Sequence, residues 1–67
     1  MATNFAVILD QSPKDSLYPE NYFPRGFHYL AEAHSEATRV INQGGKAHVV
    51  PKSQFSPDLV RILRGSK

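Results

Sequence analysis

A chain of 67 residues, 40% hydrophobic and 21% charged, has room for one small domain and is too apolar for a disordered tail. It contains no cysteine, which excludes a disulfide framework, a thiolate metal site and a cysteine nucleophile together and makes an intracellular location the expectation. The net charge of +2 hides an asymmetry: residues 1–36 carry two cations against five acids, whereas residues 37–67 carry six cations against Asp58 alone.

The longest apolar run, Phe5-Ala6-Val7-Ile8-Leu9, stops at Asp10, far short of the roughly 18 to 20 residues that cross a bilayer. The N-terminus also lacks the basic and apolar regions of a secretory signal, so a soluble chain without a membrane partner is expected. Rich in β-branched residues and bounded by polar ones, residues 4–10 predict a first strand buried on both faces.

From Gln11 to Gly26 the chain carries Pro13, Pro19 and Pro24 among polar residues, which predicts a loop. A helix is then predicted from about residue 25 to 43. At 100° per residue, Phe27, Leu30, Ala31, Ala33, Ala37, Val40 and Ile41 share one arc, with His34 and Thr38 intruding. His28, Glu32, Ser35, Glu36, Arg39, Asn42 and Gln43 fall opposite. A second reading makes Phe27 to Ala33 a strand by alternation and starts a shorter helix after Ser35. It leaves Leu30 on a polar face.

Gly44-Gly45 predicts the helix terminus, and Lys46-Ala47-His48-Val49-Val50 a second short strand closed by Pro51. Ser56-Pro57-Asp58 carries three helix-start signals: a capping hydroxyl, proline at the first helical position, and a carboxylate in the first turn. Leu59, Ile62 and Leu63 share one face of that helix, which Gly65 ends.

The fold expected is a small α/β domain over residues 1–67 in the order β-α-β-α, with a Pro and aromatic loop at 11–26 and a tail at 65–67. Adjacent strands joined by a helical crossover would be parallel. The alternative is a ββαβ(α) chain of the α+β class. Two strands and two helices give the aliphatic strand residues too little cover, which predicts a core completed by self-association or by a protein partner.

No residue set specifies catalysis, a cofactor or a metal. His28 and His34 are six apart and point about 120° away from each other on a helix, unlike two ligands on one ridge. Glu32 and Glu36 lie on the predicted polar face, where water screens their repulsion. Asp10 follows a strand, a common place for a ligand group and a commoner one for a loop cap. Gly44-Gly45 ends a helix, whereas phosphate binding needs a helix start.

Partner-binding candidates are Tyr18, Tyr22, Phe23 and Arg25 of the loop, together with Arg61 and Arg64 of the last helix. Tyr and Arg are enriched at interface hot spots, and proline lowers the cost of ordering a binding segment. The competing reading, which weighs more, has the same rings fold back as a lid over the sheet, and both hold at once if a ring is shared between core and partner. Nucleic acid is the alternative partner, through Lys46, Lys52, Arg61, Arg64 and Lys67, although no reading motif accompanies these cations. Small cysteine-free single-domain chains are common among phage accessory and virion proteins, a likeness of size with no motif behind it. The leading expectation is a non-enzymatic interaction or assembly protein.

Overall fold

The structure, a computed structural model, describes residues 3–15, 18–19 and 22–65. Its elements are β1 (Phe5–Gln11), β2 (Arg25–Phe27), α1 (Leu30–Asn42), β3 (Lys46–Pro51), a 3-10 turn at Lys52–Gln54, and α2 (Pro57–Gly65). The three strands form one sheet in the order β2-β1-β3, antiparallel throughout. This is a mixed αβ domain with a three-stranded antiparallel sheet and two helices.

Two expectations are corrected. The parallel pairing is wrong because β1 and β3 run in opposite directions, Phe5 facing Pro51 and Leu9 facing Ala47. The long helix from residue 25 is also wrong. Arg25, Gly26 and Phe27 form a strand opposite Val7, Ala6 and Phe5, and α1 starts only at Leu30. The physical reason is a tertiary partner: β1 offers a free edge whose hydrogen bonds outweigh a helical turn containing Gly26. The element order therefore follows the alternative ββαβ(α) reading, with a shorter second strand and an earlier helix than alternation suggests.

Cross-strand partners share a face, so Phe5, Val7, Leu9, Phe27, Ala47 and Val49 lie on one side of the sheet. Val7 forms the core with Ala33 and Ala37 of α1, and Phe5, Phe23, Phe27, Ala47 and Val49 pack against it. On the other side stand Ala6, Gly26, Ile8, His48 and Val50. Gly26 lies close to Thr3 there: a Cβ would fall 2.6 Å from the Thr3 methyl carbon, so a larger residue would make that side chain shift.

The helix ends as its glycines predict. Gly44 adopts φ of 93°, its N–H donates to Ile41 C=O at 3.0 Å, and the Gly45 N–H donates to Val40 C=O at 3.0 Å. These are the two bonds of a Schellman closure. Gly45 itself sits in a tight corner, since a Cβ would fall 2.7 Å from the Gln11 carbonyl oxygen and 2.9 Å from Val40 Cγ1. At α2, the Leu59 N–H donates to Ser56 Oγ at 3.1 Å, which makes Ser56 the N-cap.

Candidate functional site

The side of α1 that meets the sheet is narrower than the apolar arc of its sequence. Ala33, Glu36, Ala37 and Val40 are buried, spaced i, i+3, i+4 and i+7. Leu30 is 45% exposed and Ile41 53%, against the expectation that both join the core. Eleven residues apart, they stand within about 20° of each other around the axis and about 16 Å apart along it. His34 and Thr38 lie between them, exposed as well. Tyr29, 64% exposed, adjoins this strip at the helix entry with its ring against that of His28.

Glu36 is the second correction on this helix. It was expected among screened surface charges, yet it is only 6% exposed. The loop brings Tyr22 over it, and the Tyr22 hydroxyl donates to Glu36 Oε2 at 3.0 Å. Arg39 Nη1 lies 3.7 Å from Oε1, and the Arg25 guanidinium donates to the Tyr22 hydroxyl. Burial of this carboxylate is tolerated because it is hydrogen-bonded. Sequence reasoning missed the pairing, since nothing in periodicity shows that a tyrosine 14 positions earlier will cap the helix face.

The loop residues named as partner-binding candidates spend part of their surface on one another. The Tyr18 and Tyr22 rings lie 4.8 Å apart, Tyr18 and Phe23 5.1 Å, and Tyr22 and Phe23 4.8 Å. Arg25 lies over Tyr22 at 4.9 Å and Phe27 at 5.5 Å. Phe23, Pro19 and Pro24 close a cavity of about 210 Å³ against Ile8 and Leu9, where β1 runs on past the end of β2. The Phe23–Pro24 peptide bond is cis.

Among the described residues, the proposed nucleic-acid contacts fall in two separate places. Lys46 opens β3 and Lys52 follows its last residue, about 20 Å apart along the extended chain. Arg61 and Arg64 lie on α2 with Arg64 near Lys52, and Lys67 lies outside the described residues. Arg61 stands 3.8 Å from Asp58, an exposed pair worth little.

The histidines are dispersed. The Asn4 side-chain amide donates to the His28 carbonyl at 3.1 Å, and His34 lies on the exposed strip. His48 Nδ1 donates to Asp10 Oδ2 at 2.7 Å, next to the register shift between Leu9 and Gln11. Asp10 thus has a cross-strand partner that neither loop capping nor ligand binding supplied. Among the described residues no three His, Cys, Asp or Glu side chains gather to hold a metal, and no helix is long and apolar enough to cross a membrane.

Comparison with known proteins finds no matching family model, no matching curated sequence and no matching solved structure.

Proposed function

We propose that this chain is a non-enzymatic interaction or assembly protein whose small core is completed by self-association or by a partner protein. The observation that carries the reading is the uncovered side of α1, where Tyr29, Leu30 and Ile41 remain in water while alanines fill the sheet-facing side. Scattered apolar residues are ordinary on a surface, but two large aliphatic side chains in line along one side of the helix, with His34 and Thr38 between them, offer two apolar anchors that a second helix or sheet can cover. Burying the remaining exposed part of Leu30 or Ile41 contributes about 1 kcal/mol each, enough to add to a wider interface but not to make one alone. Arg25, beside Tyr22, is the charged group proposed for its rim, and Arg61 and Arg64 of α2 are proposed for a second, separate contact surface. Nucleic acid binding has less support, because Lys46 stands apart from Lys52, Arg61 and Arg64.

Sedimentation velocity over a concentration series, on the wild-type chain and a Leu30→Asp/Ile41→Asp variant, tests the reading. Expected is concentration-dependent association, or recovery of one defined partner from host extract, that the variant loses while keeping its circular dichroism spectrum. A chain that stays monomeric at every concentration and yields identical recoveries for both forms overturns it.

A further inference from the structure

A second concave surface lies at the end of the sheet away from α1's C-terminus, where Thr3, Lys52 and Phe55 meet Val60, Leu63 and Arg64 of α2 around a half-open groove of about 430 Å³. Phe55, Val60 and Leu63 line it half-buried and supply an apolar portion, while Lys52 and Arg64, both exposed, supply a polar portion of nearly equal extent. The helix is polarised around this groove. At 100° per residue, Leu63, Val60, Arg64 and Arg61 follow one another across the near side, and Asp58 falls on the far flank with Ile62. No acidic residue is among the described lining. Two cations beside an apolar portion, in a half of the chain with six cations and one acid, select against a cation and for a carboxylate attached to an apolar group.

We infer that this groove binds a peptide segment of a partner protein in which an Asp or Glu stands beside a Leu or Phe. The apolar side chain packs between Phe55, Val60 and Leu63, and the carboxylate meets Lys52 and Arg64. Phosphate backbones would satisfy the cations but leave the apolar portion in water, which favours the peptide over nucleic acid. The inference rests on the interaction reading and names one partner chemistry for it, at a surface separate from the α1 strip.

The test is fluorescence anisotropy with a fluorescein-labelled peptide, acetyl-Leu-Asp-Phe-Glu-Leu-amide, backed by amide chemical shifts. Expected is saturable binding that moves the resonances of Phe55, Val60 and Leu63, weakens with added salt, and falls at least tenfold in a Lys52→Glu/Arg64→Glu variant. Both substitutions are at exposed positions, and an unchanged thermal melt establishes that the variant is folded. Equal binding of a peptide with Lys in place of Asp and Glu, or no loss in the charge-reversed variant, overturns the inference. So does displacement of the peptide by octanoate or by a thymidine oligonucleotide at equal concentration. If no peptide binds while the wild-type chain still associates through Leu30 and Ile41, this inference falls and the interaction reading stands.

Discussion

The two long sides of α1 differ in a way that reverses the usual expectation about size and burial. The side against the sheet is built from Ala33, Ala37, Val40 and a carboxylate, whereas Leu30 and Ile41, the larger aliphatic residues, face water. Small residues let the helix axis approach a three-stranded sheet that is itself narrow, and close approach is what buries Val7 and Val40 completely. The larger side chains then have no surface left to cover. A helix on so small a sheet is therefore two-faced, one side serving the fold and the other free for contact.

The largest expected effect comes from breaking the buried side. Val7→Asp places an uncompensated carboxylate at a fully buried position and removes cooperative thermal unfolding altogether, as read by circular dichroism. Glu36→Ala should destabilise by about 1 to 3 kcal/mol, because it leaves the Tyr22 hydroxyl without its acceptor. Urea titration of Glu36→Ala, Tyr22→Phe and the double variant should give a double-variant loss smaller than the two single losses added. Additive losses would mean that the hydrogen bond contributes nothing.

The glycine pair sharpens the comparison at the end of the helix. Gly45→Ala should cost about 1 to 3 kcal/mol, since its Cβ meets backbone of Gln11 that cannot withdraw. Gly44→Ala, with open space around it and φ of 93°, should cost about 1 kcal/mol. The reverse order in urea midpoints would place the tight contact elsewhere. At the exposed side, Leu30→Ser and Ile41→Ser should each shift stability by no more than about 0.5 kcal/mol. A larger loss in the monomer would show that this side also serves the fold.

Local signals were readable wherever the cause lies within a few residues. Gly44 and Gly45 close α1, Ser56 caps α2, and the apolar run at residues 5–9 is the central strand. Signals failed where the cause is distant in sequence. Phe27 has helical spacing with Leu30, but its actual partner is Phe5, 22 residues earlier. Glu36 has polar-face spacing, but Tyr22 comes from the loop to cover it. Of the candidate contacts, the sequence names the cations and rings, and only the fold separates Lys46 from Lys52 and brings Arg64 to the Phe55 groove.

Composition and local pattern alone determined that the chain is small, free of cysteine and basic in its second half, where β1 and β3 fall, and where α1 ends and α2 begins. Tertiary structure decided that the strands are antiparallel, that residues 25–27 join them, and which side of α1 is covered. The reason is that capping and turn chemistry act over a few bonds, whereas strand direction and burial depend on which distant segment reaches a free edge or face first.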